Sequence, residues 1–121
     1  MNRVIHFEIP VSDPERSIHF FKELFGWKFT RFGDLEYWSV ETGDGTDAGI
    51  NGGLMKRNHP EQPVVNTIEV TDIDAMTSRI EKCGGTIVVP KMPIPGVGWL
   101  VYFKDPDGNI HGITQVDPGA K

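Results

Sequence analysis

The sequence contains a single cysteine, Cys83. It cannot close an internal disulfide or build a zinc site by itself, so the cysteine content agrees with a reducing cytoplasm. Long apolar runs are missing too. No window approaches the roughly 20 apolar residues of a membrane-spanning helix. The opening stretch Met1 to Pro10 carries Arg3, His6 and Glu8 where a signal peptide needs uninterrupted apolar residues. Basic clusters are absent: 12 Lys and Arg stand against 17 Asp and Glu, giving a net charge of −5. The pair Lys56-Arg57 is too short to track a phosphate backbone, so neither nucleic acid nor an anionic membrane is expected as a partner. No nucleophile elbow, phosphate loop or dinucleotide fingerprint occurs, because Gly43-Asp44-Gly45 lacks the strand and helix such motifs require. Nucleophilic catalysis therefore has no candidate.

What the sequence does have is enough apolar material for one core. Its 121 residues fit one domain, and 38% are hydrophobic, including seven Phe and three Trp. From Arg3 to Val11 the residues alternate, with Ile5, Phe7, Ile9 and Val11 on one side and His6 and Glu8 on the other. That period predicts a strand with one buried and one polar face. Ser12-Asp13-Pro14-Glu15 then supplies a cap, a first-turn proline and an acid at the positive end of a helix dipole. A helix is expected from Pro14 to Phe25, with Ile18, Phe21, Leu24 and Phe25 at helical spacing and Gly26 as its stop. Three strand-like runs follow, Lys28 to Arg31, Glu36 to Thr42 and Gly49 to Met55, separated by Gly/Asp turns.

The proline-bearing stretch 58–63 reads as a linker, after which the pattern restarts. A strand is expected over Asn66 to Thr71, a helix over Asp72 to Cys83 ending at Gly84-Gly85, and strands over Thr86 to Pro90, Trp99 to Lys104 and Ile110 to Val116. Shifting the sequence by 59 residues superimposes Ile9 on Ile68, Val11 on Val70, Asp13 on Asp72, Gly26 on Gly85, Gly49 on Gly108 and Gly53 on Gly112. One module is therefore written twice. Module one covers 1–57, module two 64–117, and 118–121 is a tail.

The opening strand with His6 and Asp13, the second helix start Val70-Thr71-Asp72-Ile73-Asp74-Ala75 and the closing Asp105-Pro106-Asp107-Gly108-Asn109 resemble the vicinal oxygen chelate superfamily of glyoxalase, bleomycin-resistance and dioxygenase-like proteins across nearly the whole chain. The resemblance implies an α+β fold. Two tandem βαβββ modules would form a cupped mixed sheet with helices on its outer face, many such proteins being dimers. It also implies a metal site made by one side chain on the first and one on the last strand of each module. Here the four positions are His6, Val65, Gly53 and Gly112. Only His6 has a donor, whereas a catalytic divalent site normally needs about three protein ligands. The ordinary site is expected to be missing, and His6 is the candidate metal ligand, with a displaced site of His6, Glu8 and Glu69 as an alternative.

Strand alternation then predicts the lining of the cup. His6 and Glu8 should face it, with Asn51 and Met55 beside Gly53, and Thr67 and Glu69 with Thr114 in module two. The segment Met92 to Trp99 is expected as an apolar connector that either walls the cup, with Trp38 and Trp99 as stacking surfaces, or buries Ile94 and Val97 against the body or a dimer partner. His6 is either a ligand contact or a hydrogen-bonded polar-face residue, and Glu8 and Glu69 are either paired recognition acids or solvated strand residues. His111 should point away from the cup.

Three functions are compatible with these residues. The first is a metal-independent protein that binds a small organic ligand, as in the bleomycin-resistance branch. The second is a divalent-metal lyase, isomerase or dioxygenase using His6 with nonstandard partners. The third is an interaction domain whose cup is plugged. The first is preferred, with no cofactor, a cytoplasmic location and a homodimer.

Overall fold

The computed structural model describes all 121 residues and contains two helices and eight strands, the α+β class expected. The order is β1 (Arg3–Val11), α1 (Pro14–Phe25), β2 (Lys28–Arg31), β3 (Tyr37–Glu41), β4 (Asn51–Lys56), β5 (Val65–Glu69), α2 (Ile73–Lys82), β6 (Thr86–Ile94), β7 (Gly98–Lys104) and β8 (Ile110–Val116). The βαβββ pattern is thus present twice. No helix is long and apolar enough to cross a membrane.

The chain divides into two compact units, one comprising His6–Val64 and the other Met1–Ile5 with Val65–Lys121. We call them the α1 unit and the α2 unit. The first five residues fall outside the module that the repeat assigns them to, and the Asn2 amide donates to the Glu69 carbonyl at 2.7 Å. The segment 58–63 folds back on its own unit rather than trailing: Arg57 donates to the carbonyls of Pro60 and Pro10, and the Asn58 amide donates to the Gln62 side chain.

In the α1 unit the strand order is β2-β3-β4-β1, with β4 antiparallel to β3 and parallel to β1. Asp13 caps α1 by accepting from the Arg16 amide at 3.2 Å, and Gly26 closes it at φ 72°, a left-handed conformation that glycine adopts freely. The core gathers Val11, Val40 and Leu54 with Phe7, Ile9, Ile18, Phe21 and Trp27 against them. Trp27 stacks on Phe21 within this core and on Phe25 at its edge, at centroid distances of 5.1 and 5.2 Å. Helical spacing overstated the burial of α1. Leu24 and Phe25 remain 56% and 58% exposed, and Ile5, which belongs to the other unit, is 40% exposed.

In the α2 unit the order is β5-β8-β7-β6, with β5 parallel to β8 and the remaining pairs antiparallel. Asp72 caps α2 by accepting from the Ala75 amide, and Ile73, Val70, Val101 and Ile113 form the core. Gly84 takes the left-handed turn at φ 98°, while the Gly85 amide reaches back to the Ile80 carbonyl at 2.9 Å.

The connector expected over Met92 to Trp99 is instead a β-hairpin. β6 continues past Pro90 to Ile94 and pairs with β7 down to Ile94 opposite Gly98, with register shifts at Ile87/Val89 and Val89/Met92. Prolines survive there because β6 is the outer strand of its unit's order and does not need every amide for pairing. Pro95 and Gly96 make the turn, Gly96 at φ 75° and the Val97 amide donating to the Ile94 carbonyl at 2.9 Å. The tail is also part of the fold. The Gly96 amide donates to the Ala120 carbonyl, the Asp117 amide to the Val97 carbonyl, and Ala120 is only 4% exposed.

The Asp105 to Asn109 turn owes its residue pattern to one carboxylate. Asp105 accepts from the amides of Asp107 and Asn109, from the Asn109 side chain, and from His111 Nε2 at 2.9 Å. These hydrogen bonds, that of His111 foremost, hold the Asp105 carboxyl down at about 2, below its ordinary 3.8. A depressed folded-state value stabilises the fold above the ordinary value and is lost as pH falls from 3.8 towards about 2. Asp105→Asn should therefore lower the melting temperature at neutral pH and flatten the acid limb of a melting-temperature series over that window. Leu54→Ala, which empties a site that is 0% exposed, should cost about 2–5 kcal/mol in urea denaturation.

Candidate functional site

The site is built on the faces that the helices leave uncovered. In the α1 unit, pairing fixes which residues share that face: His6 is opposite Asn51, Glu8 opposite Gly53, and Tyr37 and Ser39 opposite Met55 and Gly53. Phe7 and Leu54 point the other way, into the core. The structure thus brings together His6, Glu8, Asn51 and Met55, as the alternation predicts, and adds a residue the sequence did not single out, Tyr37.

Tyr37 lies over Gly53. A β-carbon added to Gly53 would overlap the Tyr37 hydroxyl and ring carbon Cζ, so the phenol fills the space a side chain at position 53 would take. Its hydroxyl and His6 Nε2 share a hydrogen bond of 3.3 Å. Of the two ligand positions implied for this unit, His6 is therefore hydrogen-bonded to a phenol, and that phenol fills the space beside the other, Gly53. A glycine within a strand often requires an aromatic ring from the neighbouring strand to cover it. That signal was available in principle, but it needed the register of β3 on β4.

Burial governs the protonation of the pair. Removal from solvent lowers the His6 value below its ordinary 6.5, an effect the Glu8 carboxylate partly reverses. Burial, reinforced by Glu8, pushes Tyr37 up to about 12. At neutral pH both groups are uncharged, a hydrogen-bonding imidazole and phenol beside a carboxylate. Asn51 is engaged at its strand end, where Oδ1 accepts from the Thr42 amide at 2.9 Å and the Thr42 hydroxyl at 3.3 Å.

In the α2 unit, Thr67 pairs with Gly112 and Glu69 with Thr114, so these residues share one face with Leu100 and Tyr102. Thr67 is 3% exposed and its hydroxyl has no hydrogen-bond partner. A β-carbon at Gly112 would stand 3.4 Å from that hydroxyl and 3.6 Å from the side chains of Leu100 and Tyr102, which are ordinary contacts. Gly112 could thus accept a small side chain, whereas Gly53 could not. The Thr114 hydroxyl is spent on the Trp99 carbonyl at 2.9 Å, and Val65 is buried hydrocarbon.

Both proposed stacking tryptophans lie elsewhere. Trp38 alternates with Val40 and packs on the helix-side core, with the Arg31 guanidinium 5.2 Å from its ring. Trp99 packs on the other helix-side core, donates Nε1–H to Asp117 at 2.9 Å and carries Lys91 Nζ 4.6 Å above its ring. Each follows the parity of its strand, which sends Trp38, Val40, Trp99 and Val101 under the helices. His111 points to the helix side as expected, stacked on Phe103 at 5.4 Å. No group of three or more His, Cys, Asp or Glu stands together as a metal cradle.

Known proteins resemble this chain in sequence and fold. A family model for the Glyoxalase/Bleomycin resistance protein/Dioxygenase superfamily matches residues 3–111. A putative glyoxylase of Mycobacterium tuberculosis (strain CDC 1551 / Oshkosh) is 28% identical over 116 residues, which cover 91% of this chain and 44% of that protein. The chain thus spans less than half the length of that relative. A lactoylglutathione lyase of Haemophilus influenzae is 26% identical over 117 residues, covering 88% of this chain and 87% of the lyase. Among solved structures, a superfamily member from Vibrio splendidus 12B01 aligns with a TM-score of 0.66 at 20% identity, covering 95% of this chain and 98% of that one. Methylmalonyl-CoA epimerase from Mycobacterium tuberculosis aligns with a TM-score of 0.66 at 16% identity, covering 95% and 88%. At such identities the structural likeness is one of fold.

Two outcomes are expected from the geometry of the α1 unit. Gly53→Ala should destabilise the protein by about 1–3 kcal/mol through overpacking against Tyr37, and the penalty should shrink when Tyr37→Ala is combined with it, as a double-mutant cycle in urea would show. The His6 imidazole should titrate below 6.5 in a histidine NMR titration. The unfolded chain then takes up that proton first, so stability is lost as pH falls below 6.5, and His6→Gln should reduce the loss.

Proposed function

Because the chain belongs to the Glyoxalase/Bleomycin resistance protein/Dioxygenase superfamily, we propose that it uses the family scaffold as a small-molecule binding protein that works without the usual divalent metal. The observation that carries this reading is the Tyr37 phenol over Gly53, hydrogen-bonded to His6. Of the four positions implied to hold metal, Gly53 and Gly112 offer no donor atom and Val65 offers hydrocarbon. The phenol engages the imidazole that remains. This donor set does not fit a divalent site, which needs about three protein ligands.

The same groups suit an organic ligand. With His6 carrying its proton on Nε2 and donating to the phenol oxygen, the Tyr37 hydrogen is free to donate to a carbonyl or hydroxyl oxygen of the ligand. Glu8 accepts from a donor or faces a positive group. A phenol held up to about 12 stays protonated throughout the physiological range, so the donor does not switch off. Glu69 and Thr67 belong to the same reading as a second set of polar groups in the α2 unit. Cytoplasmic location and self-association complete the proposal, the first supported by the single exposed cysteine and the second by the family resemblance.

The test is elemental analysis of protein purified without chelator and soaked in divalent metals, followed by a thermal-shift screen of small aromatic, cationic and carbonyl compounds. The expected result is no stoichiometric ion, and a stabilising compound whose affinity falls about tenfold in Tyr37→Phe, the equivalent of one hydrogen bond of about 1.4 kcal/mol. A near-stoichiometric ion that is lost in His6→Ala would overturn the proposal. It would favour the alternative of a metal-dependent lyase, isomerase or dioxygenase, the first of which is the activity named for the Haemophilus influenzae relative.

A further inference from the structure

The two copies of the module fill the space under their helices differently. In the α1 unit Phe7, Phe21 and Trp27 pack on the core, Trp27 lying 6.1 Å from Phe7 and stacked on Phe21, and the half-exposed Phe25 stacks on Trp27 at the edge. The 59-residue offset that aligns the modules places Ile80, Gly84, Thr86 and Asn66 at the equivalent positions of the α2 unit. Four aromatic side chains are replaced by one aliphatic residue, a glycine and two small polar residues. The α2 unit has an open apolar groove of about 360 Å³ beside α2, lined by Ile68, Val70, Met76, Ile80, Phe103 and Ile113. That volume is within the roughly 300–1,000 Å³ of small-molecule pockets.

The rim changes in the same direction. Phe20 and Leu24 of α1 correspond to Arg79 and Cys83 of α2, and both of these line the groove together with Asn2. The Arg79 guanidinium and the Asn2 carboxamide each make no hydrogen bond or ion pair, while the Asn2 backbone is fixed by its amide donating to the Glu69 carbonyl at 2.7 Å. We infer that this groove is a second binding site, distinct from the His6–Tyr37 face, for a carboxylate with an apolar tail. The tail occupies the apolar space that the missing aromatic rings leave, and the carboxylate meets Arg79 and Asn2 at the rim. The carbonyl end of α2 by itself repels an anion. Arg79 is therefore the residue that sets the preference for an acid over an amine, through a charge-assisted hydrogen bond.

Cys83 is the only cysteine and is exposed at the rim, so its alkylation by iodoacetamide reports occupancy. Decanoate, below its micelle concentration, should slow that alkylation and raise the melting temperature of the intact protein, whereas decylammonium at the same concentration should do neither. Arg79→Gln should weaken decanoate about tenfold. Ile80→Phe, which returns the α1 unit's aromatic residue to the groove, should abolish protection. If Ile80→Phe does not fold, the comparison of parent with Arg79→Gln decides. Unslowed alkylation in the parent, or equal protection by decylammonium, would overturn the inference. So would loss of the decanoate effect in Tyr37→Phe with retention in Arg79→Gln, which would assign the acid to the other face and leave the preceding proposal standing.

Discussion

Each helix of this protein covers one face of its strands, and strand parity decides which residues go under it. The period of two in β1 sends Phe7, Ile9 and Val11 under α1, leaving His6 and Glu8 on the opposite side. A shift of one residue would exchange the core with the chemistry. The core therefore fixes the site: Leu54, completely buried, sets the parity of β4 and places Gly53 where Tyr37 can lie over it. Val101 and Ile113 do the same for β7 and β8, putting Gly112 beside Thr67 and sending Trp99 to the helix side.

Elements with a strong period or a capping signal were legible in the sequence. β1, α1 with its Asp13 cap and Gly26 stop, and α2 with its Asp72 cap follow from spacing and from the hydrogen-bonding needs of helix ends. The repeat was legible because the same physical requirements recur at the same interval. The β6–β7 hairpin was not, since prolines at positions 90, 93 and 95 read as irregular chain until the outer placement of β6 explains them. The parity of β3 was also hidden: Tyr37 and Trp38 are adjacent aromatic residues, and nothing local says which one lies over a glycine and which one enters the core.

The candidate site was therefore half visible. Polar residues on a strongly alternating strand, such as His6 and Glu8, were placed by sequence alone. Tyr37 depends on a neighbour 16 residues further along, Gly53, and only pairing brings them together. Conversely, the loss of side-chain donors at Gly53 and Gly112 could be read from the repeat, but not what takes their place. The two glycines are unlike in consequence. One is filled by a phenol and the other retains room.

The α2 unit is not one stretch of chain: Met1–Ile5 belong to it although His6–Val64 intervene. Synthesis delivers its first five residues long before the segment they join, so a partly made chain holds the opening of β1 without the β5 residue Glu69 to which Asn2 is bound. Closing so long a loop is slow relative to the local pairing of β7 with β8. Pairing within the β6–β7–β8 meander closes much shorter loops than the docking of residues 1–5 does. A fragment beginning at Val65 would contain the complete repeat yet lack this N-terminal piece, so the boundary of the repeated sequence is not the boundary of the folding unit.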